Sequence, residues 1–97
     1  MTLLDLIKAV KEKNLDKDQL ENYRDELSSL FAQMQLEMAD LEKEEAIFPT
    51  ENYDSAVARK NAWKATQSGQ RLIVLKRYCL ATKEILNSLK SRLYNFY

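Results

Sequence analysis

The chain has no histidine in 97 residues, and this removes the commonest general base and the commonest zinc ligand. Most hydrolase and metalloenzyme designs are thereby closed, and the sequence is expected to be non-enzymatic. A single cysteine, Cys79, excludes an intramolecular disulfide. A single glycine, Gly69, excludes a glycine-rich phosphate loop, and a single proline, Pro49, leaves few places for a turn-rich β fold. No apolar run is long enough to cross a bilayer, and the N-terminal Met1-Thr2-Leu3-Leu4-Asp5 lacks the basic region of a signal peptide. A cytoplasmic protein without membrane contact is expected, and no cofactor or metal is called for.

What remains is 45% hydrophobic and 31% charged, a composition of long helices in one domain spanning 1–97. Thr2 with Asp5 reads as a capping box, and Leu3, Leu6, Ile7 and Val10 come after it at helical spacing, giving a short helix over about 2–14. Asp16 with Gln19 reads as a second box, with Leu15 and Leu20 placed to close a hydrophobic staple. From there Leu20, Leu27, Met34, Leu41 and Phe48 recur every seven residues, predicting a helix over 17–47. Pro49 to Asp54 predicts the bend at 48–54, with Asn52 or Asp54 capping the next helix. Beyond it Ala58, Ala65, Leu72, Cys79, Leu86 and Leu93 repeat every seven residues, joined by Leu75, Thr82, Leu89 and Phe96. A third helix over 55–96 is predicted, with a kink or a close helix approach at Ser68-Gly69.

The fold class expected is therefore all-α: an elongated hairpin of two long helices with a short N-terminal helix. Such a hairpin buries little surface for its length. Self-association into a coiled-coil-like bundle is expected, with Leu72, Leu75, Cys79, Leu86, Leu89, Leu93 and Phe96 as the interface.

The net charge is zero, but it is divided unevenly. Residues 1–54 carry fourteen acidic and six basic side chains; residues 55–97 carry nine basic against Glu84 alone. One consequence is structural. Glu42, Glu44 and Glu45 end the second helix and Arg59 and Lys60 begin the third, each badly placed for its own macrodipole, so a fold at Pro49 is expected to pair them. The other is functional: Lys60, Lys64, Arg71, Lys76, Arg77, Lys83, Lys90 and Arg92 interleave with Trp63, Tyr78 and Tyr94, the mixture that phosphate neutralisation and base stacking require. Lys60, Trp63, Lys64, Arg71, Lys76, Arg77 and Tyr78 are the expected nucleic-acid contacts.

The acidic cluster Asp40, Glu42, Glu44, Glu45, Glu51 and Asp54 lacks calcium-loop spacing and reads as a solvated helix end. Cys79 falls on the apolar seam and reads as a packed thiol; Phe31, Met34 and Met38 read as core.

The run Lys60-Asn61-Ala62-Trp63-Lys64-Ala65-Thr66-Gln67-Ser68-Gly69-Gln70, followed by Lys83-Glu84-Ile85-Leu86-Asn87-Ser88-Leu89-Lys90-Ser91-Arg92-Leu93, resembles the C-terminal part of small phage-encoded helical proteins similar to the UvsY-type recombination mediators. The likeness lies in the order of charged helix, glycine break and final basic amphipathic helix. It implies an oligomeric accessory protein of a bacterial host's cytoplasm that binds single-stranded DNA and helps a recombinase replace a single-strand-binding protein. Two other classes compete with this reading. One is an interaction module, such as a phage inhibitor of a host defence nuclease, presenting Glu37, Asp40, Glu42, Glu44 and Glu45 to a basic channel. The other is a structural or assembly protein.

Overall fold

A computed structural model describes residues 2–12 and 14–96. Four helices run in order: α1 (Leu3–Val10), α2 (Lys17–Ile47), α3 (Ala56–Ala65) and α4 (Gln67–Tyr94). The fold is all-α, with α2 and α4 packed along each other as a hairpin and α1 laid against both. The body measures 57 × 21 × 18 Å.

Both predicted capping boxes form. Thr2 Oγ1 accepts from the Asp5 amide while Asp5 accepts from the Thr2 amide, and Asp16 and Gln19 do the same at 2.8 and 3.0 Å. Each satisfies two backbone donors that the first helical turn leaves without partners. The bend is closed by aromatic rings: Phe48 stacks on Tyr53 at 5.9 Å and meets Trp63 edge-on at 5.6 Å. Neither Asn52 nor Asp54 caps α3. Ser55 does, its hydroxyl accepting from the Ala58 amide at 3.1 Å.

The third predicted helix is two helices. The break is at Thr66, in extended conformation (φ −73°, ψ 159°), which ends α3 and caps α4 at once. Its hydroxyl donates to the Trp63 carbonyl at 2.7 Å and accepts from the Gly69 amide at 2.9 Å. Gly69 therefore sits in the first turn of α4, with the Trp63 carbonyl where a Cβ would be. Of the two roles expected of the glycine, a kink or a close approach, the structure shows the close approach of backbones, at a break between two helices.

Two clusters hold the hairpin. At the open end Leu6, Val10, Leu15, Leu20, Leu27, Leu89 and Leu93 bury together where α1, α2 and α4 meet, and the staple pair Leu15 and Leu20 lies among them. At the bend end Leu41, Trp63, Leu72 and Leu75 bury together, with Met34, Met38 and Phe48 against them. Between the clusters the waist is thin: Cys79 Sγ lies 3.3 Å from Met38 Sδ, and Thr82, fully buried, donates to the Tyr78 carbonyl. Burial pushes the Cys79 thiol up from its ordinary pKa, as expected of a packed thiol.

This packing also covers most of the residues expected at a subunit interface. Leu72, Leu75, Cys79, Leu89 and Leu93 are each at most 9% exposed, because α2, with α3 at the bend end and α1 at the open end, covers them within the same chain. Leu86 is half-buried against the open-end cluster, and only Phe96 keeps half its surface. The seven-residue seam is spent on closing the hairpin.

Candidate nucleic-acid interface

The cations of the second half are divided among three tasks. Two arginines cap helix ends. Arg59 donates to the Glu45 carbonyl at 2.6 Å and to the Phe48 carbonyl at 2.9 and 3.2 Å, with its guanidinium 5.7 Å from the centre of the Phe48 ring. Arg92 reaches back to α1 and donates to the Val10 and Glu12 carbonyls at 2.5 and 2.8 Å. Positive charge belongs at such C-termini, where carbonyls lack partners and the macrodipole is negative. The expected pairing of Arg59 and Lys60 with Glu42, Glu44 and Glu45 is thus replaced by capping: Arg59 takes main-chain oxygens, and no ion pair joins these groups among the described residues.

A third arginine ties the two long helices. Arg71 forms a two-pronged bond to Glu37 at 2.9 and 3.0 Å. The bond lowers the Glu37 pKa and raises that of Arg71. It is the one ion pair between the acidic and basic halves among the described residues.

The remaining cations are lysines and Arg77, and their positions decide what α4 can offer. Lys76 and Tyr78, both expected contacts, are two residues apart and therefore lie on roughly opposite sides of the helix. Tyr78 is 48% exposed but faces the α1 side, lining a cleft with Leu3, Leu4 and Ile7. Trp63 is 5% exposed inside the bend-end cluster and has no free face for a base. Arg71 is committed to Glu37. Lys60 and Lys64 are exposed on α3, and Arg77 is exposed beside Lys76. Three expected contacts, Trp63, Arg71 and Tyr78, are thus withdrawn from a common face by packing, by an ion pair and by helical phase.

A different line of residues does share a face. Lys76, Leu80, Lys83, Asn87, Lys90 and Tyr94 are spaced alternately four and three apart, all exposed, on the flank of α4 that α1 leaves open. Successive lysines are about 10.5 Å apart along the axis and drift by only about 20° per heptad. None of the three makes an ion pair among the described residues. Across the groove α2 presents Arg24, Phe31, Gln35 and Met38. Two clefts open along the line. One, of about 340 Å³, has Phe31, Met38, Cys79 and Leu80 as its floor between Lys76 and Lys83. The other, of about 180 Å³, lies between Arg24, Lys90, Leu93 and Tyr94. No carboxylate lines either one.

The sequence carries a signal for this face. Lys76, Lys83 and Lys90 keep the same seven-residue spacing as the seam Leu72, Cys79, Leu86 and Leu93, displaced by four, so a surface row had to flank the buried one.

Asp40, Glu42 and Glu44 are exposed toward the end of α2, Glu45 is half-buried there, and Glu37 is the partner of Arg71. Among the described residues no three carboxylate or thiol groups converge on a cation position. No described helix is long and apolar enough to cross a membrane. Comparison of the chain with protein-family models, with curated proteins and with solved structures finds no match.

Proposed function

We propose that this protein is a non-enzymatic binding protein that takes single-stranded nucleic acid along the open flank of α4. One observation carries the reading: Lys76, Lys83 and Lys90 stand on one line without an ion-pair partner among the described residues, and no carboxylate lines the clefts beside them. A row of uncompensated cations repels itself, and a linear polyanion relieves that repulsion while releasing its own counterions. The exposed ring of Tyr94 at the end of the row adds a surface on which a base stacks. The accessory role in recombination implied by the likeness to phage mediators, and the recombinase or single-strand-binding protein it would meet, belong to the same proposal.

The test is fluorescence anisotropy of a labelled single-stranded oligonucleotide, titrated at low salt and again at about 200 mM. Binding that weakens steeply with salt supports the reading. No binding even at low salt rejects it and directs the search to a protein partner.

A further inference from the structure

Resting on that reading, we propose that the cleft between Lys76 and Lys83 is a nucleobase subsite, with Phe31 as the stacking ring and the two lysines holding the flanking phosphates. The cleft lies between the two hydrophobic clusters, and of its lining residues only Met38 also packs against one of them, the bend-end cluster. Phe31 is half-buried, belongs to neither cluster and lines the cleft. Leu80, 66% exposed, lines the cleft together with Met38 and Cys79. An aromatic ring beside soft, polarisable sulfur atoms is a sequence-tolerant surface for a flat heterocycle.

Charge complementarity and the length of the apolar surface together select the occupant. The rim is cationic on the α4 side, so the ligand is anionic. An acidic amphipathic helix also meets that condition, but it anchors through apolar residues at i, i+3, i+4 and i+7 and needs a continuous apolar floor. Here the two clefts are separate, one lined by residues up to Lys83 and the other by Lys90, Leu93 and Tyr94 of α4. Beyond Lys83 the line continues through exposed Asn87, and the next ring, Tyr94, comes two heptads after Leu80, about 21 Å along the axis. Separate apolar recesses between regularly spaced cations suit a flexible charged backbone with splayed rings. They do not suit the continuous stripe of a helix.

The experiment compares an oligothymidylate with an oligomer of abasic residues of equal length, against the wild-type protein, Phe31→Leu and Lys83→Gln. Leucine keeps the cleft apolar and the helix intact while removing the ring, and far-UV circular dichroism checks that the fold is retained. The wild type is expected to bind the base-bearing strand about tenfold more tightly than the abasic one, and Phe31→Leu to lose that preference while keeping the salt dependence. Lys83→Gln is expected to weaken both strands and flatten the salt dependence. Photo-crosslinking with a 4-thiothymidine oligomer is expected to label the peptides carrying residues 31 and 79–80. Equal affinity for both strands in the wild type, or crosslinks only outside the cleft, overturns the base subsite while leaving phosphate binding by the lysines intact. Displacement of the strand by a glutamate-rich amphipathic peptide that binds more tightly reassigns the cleft to a protein helix. No binding of either strand overturns both readings.

Discussion

Replacing Gly69 with alanine separates the observed break at Thr66 from the single long helix that seven-residue spacing suggests. In an uninterrupted helix the change is favourable by about 1 kcal/mol, since alanine is the best helix former and glycine among the worst. Here the new Cβ falls on the Trp63 carbonyl oxygen, a backbone atom that cannot rotate away. Relief requires α3 to swing from α4, which stretches the Thr66 bonds to Trp63 and Gly69 and draws the indole from Leu41, Leu72 and Leu75. Overpacking of this kind costs about 1–3 kcal/mol, more than the first-turn propensity gain returns. Gly69→Ala is therefore expected to destabilise the chain by about 1–2 kcal/mol, or roughly 5–15 °C in Tm for a domain of this size. Urea unfolding followed through the fluorescence of Trp63, the one tryptophan, measures both the stability and the integrity of the cluster around the ring. Gln67→Ala, at an exposed neighbouring position, is the control and should be near neutral. Wild-type or higher stability for Gly69→Ala refutes the argument and restores the continuous helix.

The capping arginines, the core and the cross-hairpin ion pair each carry a further consequence. Arg59→Leu removes charged hydrogen bonds from the Glu45 and Phe48 carbonyls and is expected to cost about 1.5–3 kcal/mol in urea unfolding. Arg92→Ala releases the end of α1, so amide exchange over residues 3–10 should accelerate far more than exchange over 71–82. Leu75→Ala, at a fully buried position, is expected to cost about 2–5 kcal/mol. The Arg71 pairing depresses the Glu37 pKa below its usual 4.5, so whatever stability the exposed pair adds is present above that value and disappears as the pH falls through the folded-state pKa. The stability difference between wild type and Glu37→Gln should accordingly shrink to nothing in acid.

Much of the architecture is written in local chemistry. Thr2 with Asp5 and Asp16 with Gln19 each satisfy donors within four residues, so both helix starts are visible in the sequence alone. The seam from Leu20 to Phe48, and its counterpart from Leu72 to Leu93, emerges from helical periodicity in the same way. The break at Thr66 is different. Ala65-Thr66-Gln67 contains no proline or glycine, and the break there accompanies the burial of the Trp63 ring with Leu41 and Leu72. That is a tertiary demand with no local signature. The same cause hid the fate of Trp63, which charge and aromatic interleaving places on a binding surface but packing places in the core. Arg59 and Arg92 were legible as cations but not as caps, because their acceptors lie 11 to 82 residues away. The row Lys76, Lys83 and Lys90 is countable from spacing; which flank of α4 it occupies depends on where α1 docks.

The most direct test of the account is the salt dependence of single-strand binding by the wild type and by Lys76→Gln/Lys83→Gln/Lys90→Gln. Three phosphate contacts predict a slope of log affinity against log salt of roughly −2, and the triple variant should lose most of it while unfolding at the same urea concentration. A wild-type slope near zero, or a triple variant that binds as well as its parent, contradicts the assignment of the α4 flank as a polyanion-binding face.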